Sequence, residues 1–195
     1  MADIVGLLQG MWQGARRFTP RLWRLFACGC ARRTGRADRP PLADVLALVE
    51  RYADGEATAH ELASARFGFR HRAESMAHLL AWMPDMAPLD MLRRLMTWLA
   101  GEDPALVSNA APEVFADLLG PELPAPAPML LAWEGGLVRR LARGIYEDRA
   151  WDRLPYLGDA LEEAGCAAEE VLAHCRAGGA HSRGCWAVDW VLGKR

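Results

Sequence analysis

Apolar residues recur along this chain at steps of three and four, the spacing that lines one face of a helix. Phe18, Leu22, Leu25, Phe26 and Gly29 mark a first helix inside a helical block over residues 4–33. Pro20 sits in its opening turn, where a missing amide hydrogen breaks no helical bond, and Arg17, Arg21 and Arg24 fall largely on its other faces. Arg32 to Pro40 breaks the pattern with a polar stretch. From Pro41, the residues Leu42, Val45, Leu46 and Val49 give a second stripe that ends near Gly55. Thr58 and Glu61 have the spacing of a capping box, and the helix they open runs toward Trp82 and stops before Pro84. Leu92, Leu95, Met96 and Leu99 place the next helix over Leu89 to Ala100. Pro104 and Pro112 are each expected to start a short helix, the second ending at Gly120.

Residues 121–128 read PELPAPAP, and such proline density favours an extended connector. Beyond it the pattern predicts four short helices: Leu137 to Asp148, Tyr156 to Ala164, Glu169 to Cys175, and Cys185 to Leu192. The expectation is an all-α protein, a multi-helix bundle or irregular array of short helices without a sheet. It comprises a helical region over 1–120, a proline-rich connector over 121–135 and a compact unit over 136–195, packed on the same core.

Composition changes this picture little. At 195 residues the chain is long enough to bury a real core, and 52% hydrophobic content argues against disorder. Eight Trp, against three Tyr and five Phe, predict packing that leans on indoles. The net charge of −2 implies no polyanionic or polycationic partner. Residues 1–40 nevertheless carry eight Arg against Asp3 and Asp38, a local charge of +6. A basic helix of this kind can bind nucleic acid through Arg21 and Arg24; a solvated arginine face on a core helix is the simpler account. No apolar run is long enough to span a membrane. With no secretory signal and an odd count of five cysteines, the reading is a reduced, cytoplasmic protein with free thiols.

Candidate chemistry concentrates near the end of the chain. Cys28 and Cys30 lie two apart, so a helix points them to different faces, and His60, His71 and His78 are spread over three turns. His174, Cys175, His181 and Cys185 are the stronger set, with Cys166 nearby. Thiolate and imidazole donors suit a tetrahedral Zn²⁺. Small buried cysteines, with histidines fixing a loop, are the competing account. A thiol enzyme would use Cys185 at a helix start with His181 as base and Asp189 in reach. No catalytic motif supports that reading. Arg183 beside Gly178 and Gly179 could hold an anion through backbone amides.

The segments LWRLFACGCARR (Leu22–Arg33), ARGIYEDRAWDRLPYLGDALEEAGC (Ala142–Cys166) and LAHCRAGGAHSRGCWAVDWVLGK (Leu172–Lys194) resemble a group of uncharacterised proteins, abundant as paralogues in Gemmata-like planctomycetes. The resemblance is close over the last 60 residues and loose over the first 80. The group's usual CACCRR stands here as CGCARR, one cysteine short, with a shortened N-terminal opening. It implies a fold and a lineage but no activity. The leading expectation is a non-enzymatic helical interaction module with a protein partner. Nucleic-acid binding and a zinc-stabilised domain or thiol enzyme are the alternatives.

Overall fold

Thr19 starts the first helix as the pattern requires: its hydroxyl accepts from the Leu22 amide at 3.3 Å, and Pro20 takes the first helical position. The computed structural model describes residues 17–35, 37–68 and 88–194. Among the described residues it is all-α, with nine helices and no strand. They are α1 (Pro20–Arg32), α2 (Leu42–Ala53), α3 (Ala59–Gly68), α4 (Pro88–Glu102), α5 (Ala111–Leu119), α6 (Pro128–Asp148), α7 (Leu154–Glu163), α8 (Glu169–Arg176) and α9 (Trp186–Leu192). His71, His78 and the expected continuation of the Thr58 helix toward Trp82 lie outside the described residues. No helix among the described residues is long and apolar enough to cross a membrane.

The chain divides into two compact units, Met1–Ala116 and Asp117–Arg195. In the first, α1 packs on α2 and α2 on α3. Phe26 and the predicted stripe Leu42, Val45, Leu46 and Val49 are buried. Aromatic packing here rests on phenylalanine as much as on indole: Phe18 stacks on Phe115 at 4.7 Å, and Phe26 meets Phe115 edge-on at 6.0 Å. The capping box forms, with the Thr58 amide donating to Glu61 Oε2 at 2.7 Å and the Glu61 amide to Thr58 Oγ1 at 3.1 Å.

Glu50 is buried at 1% exposure and receives a two-pronged bond from Arg32, Nε to Oε1 at 2.6 Å and Nη2 to Oε2 at 3.0 Å. Removing one partner of such a pair strands the other charge in the core. Arg32→Ala is therefore expected to lower stability by about 3 kcal/mol in urea unfolding, the low end of the range for such pairs because Arg32 keeps some contact with water.

The two short helices expected at Pro104 and Pro112 are instead continuous through a π-helical turn, Leu106–Ala110. Pro112 has no amide hydrogen, and its ring crowds the carbonyl four residues back. The wider turn absorbs this, with the Ala111 amide donating to the Leu106 carbonyl five residues earlier.

The second unit, Asp117–Arg195, includes the proline-rich segment. Leu123 packs against the core, and Trp190 Nε1 donates to the Pro124 carbonyl at 2.7 Å. Pro128 opens α6, whose first turns lie inside the expected connector and whose remainder is the helix expected from Leu137. That helix breaks at Trp133–Gly136, where Glu134, Gly135 and Gly136 all have positive φ. Two adjacent glycines make such a run affordable, and Arg140 pins it by donating to the Gly135 and Glu134 carbonyls. Beyond the break, α6 packs on α7 and α9, and α7 on α8. Val138, Ala142, Leu157, Leu161, Val171 and Val188 are buried in this core.

Candidate functional site

In α5 the apolar stripe runs Ala111, Val114, Phe115, Leu118, and Asp117 sits beside it in the last turn, only 6% exposed. A buried carboxylate has to be met by donors, and the second unit supplies three. His181 Nδ1 lies 2.7 Å from Asp117 Oδ1, the Ser182 amide donates to Oδ2 at 2.7 Å, and His174 Nε2 lies 3.4 Å from Oδ1. Burial pushes the Asp117 carboxyl up, but the bonds from His174, His181 and Ser182 outweigh it and hold the group below the usual carboxylate range.

Three elements converge on that carboxylate. His174 projects from α8, His181 and Ser182 come from the loop after it, and Cys185 caps α9. Four residues apart on a helix, His181 and Cys185 would share a face. The segment between them is a turn instead, closed by the Cys185 amide on the Ser182 carbonyl at 2.9 Å. Cys185 Sγ then lies 3.2 Å from His174 Nε2 and 3.8 Å from His181 Nδ1. Trp186, next in the chain, donates its indole N–H to His174 Nδ1 at 3.1 Å. An indole nitrogen only donates. His174 is therefore neutral, with its proton on Nε2, facing Asp117 and Cys185.

Comparison of the chain with protein-family models, with curated proteins and with solved structures finds no match. The site stands on its geometry alone. One donor atom from each of Asp117, His174, His181 and Cys185 lies within 4.8 Å of the other three, close enough for a single ion.

Of the four expected metal ligands, the structure brings together His174, His181 and Cys185 and leaves out Cys175. Although adjacent to His174, Cys175 turns into the core, 1% exposed and facing Gly158 on α7. Successive helical residues point about 100° apart, so His174 and Cys175 cannot serve one centre without distorting α8. Cys166 is buried and outside the cluster. Asp117 takes the vacant place, a residue the sequence reading passed over because 57 positions separate it from His174. The signal was an acid bordering an apolar stripe, where a solvated acid is out of place.

Of the expected thiol-enzyme group, Cys185 Sγ lies 3.8 Å from His181 Nδ1. Cys185 is fully buried, and burial together with the Asp117 charge pushes its thiol well above the usual range, against the pull of the Val188 and Ala187 amides. In a working thiol–imidazole pair the far ring nitrogen donates to an orienting acid; the far nitrogen of His181, the expected base, is buried with no hydrogen-bond partner among the described residues, and that of His174 accepts from Trp186. Burial also raises Cys175 to about 12 and lifts Cys30 well above the thiol range. None of the five cysteines is in a disulfide, and all are buried. Iodoacetamide at pH 8 is expected to leave Cys30, Cys175 and Cys185 unmodified in the folded chain and to label all five after denaturation, as read by mass spectrometry.

The arginines expected to bind external anions have partners within the chain. Arg21 pairs with Asp54 at 3.0 Å, Arg24 lies 4.9 Å over the Tyr52 ring, and Arg183 lies 4.7 Å over the Tyr146 ring. Asp159 and Glu162 bind Arg176 at 2.8 and 2.6 Å on the exposed surface.

Proposed function

We propose that this chain is a non-enzymatic helical module that works by docking a protein partner, with the second unit as its platform. The observation that carries this reading is the closure of the polar cluster. Its one thiol is fully buried and held in the protonated form, and its carboxylate is saturated by hydrogen bonds from the chain itself. Such a network fixes a shape and leaves no reacting group for a substrate.

Two large apolar side chains of the same unit stand in solvent, Met129 at 80% exposure and Tyr156 at 66%. Methionine and tyrosine are both enriched at protein interfaces. Nucleic-acid binding draws less support, since Arg21 and Arg32 are committed to ion pairs inside the first unit. The resemblance to the planctomycete group, carried by the ends of the chain, supplies no chemistry that would favour catalysis.

The test is site-specific photo-cross-linking of the full chain in its native host. Probes at Met129 and Tyr156 are expected to capture one and the same protein, and a probe at exposed Glu163 is expected to capture a different set or none. Identical capture from all three positions, or none from Met129 and Tyr156, counts against the proposal.

A further inference from the structure

We propose that Asp117, His174, His181 and Cys185 form a structural site for one Zn²⁺ ion, bound through a carboxylate oxygen, His174 Nε2, His181 Nδ1 and Cys185 Sγ. With bonds of about 2.0–2.3 Å, a tetrahedral zinc holds its donors about 3.3–3.7 Å apart. The separations His174 Nε2–Cys185 Sγ at 3.2 Å, His174 Nε2–Asp117 Oδ1 at 3.4 Å and Cys185 Sγ–His181 Nδ1 at 3.8 Å already approach that figure. Of these four separations, the 2.7 Å between His181 Nδ1 and Asp117 Oδ1 is the one that has to open, by roughly 0.6 Å, and every pair of donors in the set lies within 4.8 Å.

The donor set selects the ion. Two imidazoles and a thiolate suit zinc and its neighbours and exclude Mg²⁺ and Ca²⁺, which take oxygen ligands. Four protein donors also fill the tetrahedron, which marks a structural rather than a catalytic centre. Charge favours occupancy as well. With Zn²⁺, one carboxylate, one thiolate and two neutral imidazoles the site is neutral. Forming the Zn–S bond sends the Cys185 thiol proton to solvent. Each imidazole proton moves, through water, to the ring nitrogen facing away from the ion.

That last step identifies the residue that restrains binding. Histidine ligands ordinarily donate their outer N–H to an acceptor. The outer nitrogen of His174 instead faces the Trp186 indole N–H. Zinc at Nε2 places two N–H groups head to head, so Trp186 has to turn aside as the metal enters. The outer nitrogen of His181 is buried and has no hydrogen-bond partner among the described residues, so it receives its proton unopposed.

The experiment titrates the reduced, chelator-stripped full chain with Co²⁺ alone. The expected result is one cobalt per chain, with a thiolate charge-transfer band and tetrahedral d–d bands, displaced by one equivalent of Zn²⁺. Cys185→Ser is expected to abolish the charge-transfer band, and Cys166→Ser to leave the spectrum unchanged. Asp117→Asn, first shown to be folded by circular dichroism, is expected to bind about 10–100-fold more weakly and decides the matter if Cys185→Ser does not fold. Trp186→Phe, which removes the facing N–H, is expected to bind about tenfold more tightly. The proposal is overturned by the absence of a charge-transfer band in excess cobalt, by a band that survives Cys185→Ser, by undiminished binding in Asp117→Asn, or by unchanged or weaker binding in Trp186→Phe.

Discussion

Asp117→Ala is expected to lower the stability of the metal-free chain by about 3–5 kcal/mol, read as a fall in the urea midpoint. The carboxylate accepts from the Ser182 amide and from His181 at 2.7 Å each, with His174 at 3.4 Å. Alanine leaves those donors buried without an acceptor, and each such group costs about 1–3 kcal/mol unless water reaches it. The loss is local as well as global. Hydrogen exchange at the Ser182 amide should accelerate far more than exchange at Val138 or Leu157, in the core of the same unit. A midpoint shift worth less than about 1 kcal/mol, with Ser182 still protected, is incompatible with Asp117 as the hub.

Gly120→Ala is expected to be about as damaging, by a route that involves no polar group. Gly120 has φ +41, and a Cβ built there would lie 2.4 Å from Trp186 Cγ and 2.6 Å from Trp186 Cβ. Those are atoms at the root of the indole, so no rotation of a flexible tip relieves the clash. Trp186 has to move bodily, and with it the N–H that orients His174. Strain at a left-handed position adds about 1 kcal/mol and overpacking about 1–3 kcal/mol, for an expected loss of about 2–4 kcal/mol by thermal or urea unfolding. Trp186→Ala, which opens the space, should render Gly120→Ala nearly neutral in a double-mutant cycle. Full additivity of the two changes would show that they do not meet.

The helices were legible in the sequence because their signals are local. Thr58 and Glu61 announce their cap three residues apart, and Leu42, Val45, Leu46 and Val49 declare a buried face by spacing alone. The π-helical turn at Leu106–Ala110 was not legible, since Pro112 reads equally as a helix start and as an interruption to be absorbed. Nor was the opening of α6 at Pro128, which the proline run before it concealed. The candidate site was half legible. His174, His181 and Cys185 stood out because they lie within twelve positions of one another, but Cys175 was chosen for its proximity in sequence, whereas helix geometry rotates it into the core. Asp117 joins the cluster only through the tertiary fold, and Trp186, although it follows Cys185 directly in the chain, shows its bond to His174 only in the structure.

The central claim is that these side chains form a closed network of fixed hydrogen-bond sense. Long-range ¹H–¹⁵N correlation of the imidazoles in the metal-free full chain tests it most directly. The account predicts His174 protonated on Nε2 and His181 on Nδ1, each as a single slowly exchanging tautomer. His174 protonated on Nδ1, or both rings averaging rapidly between tautomers, would contradict it.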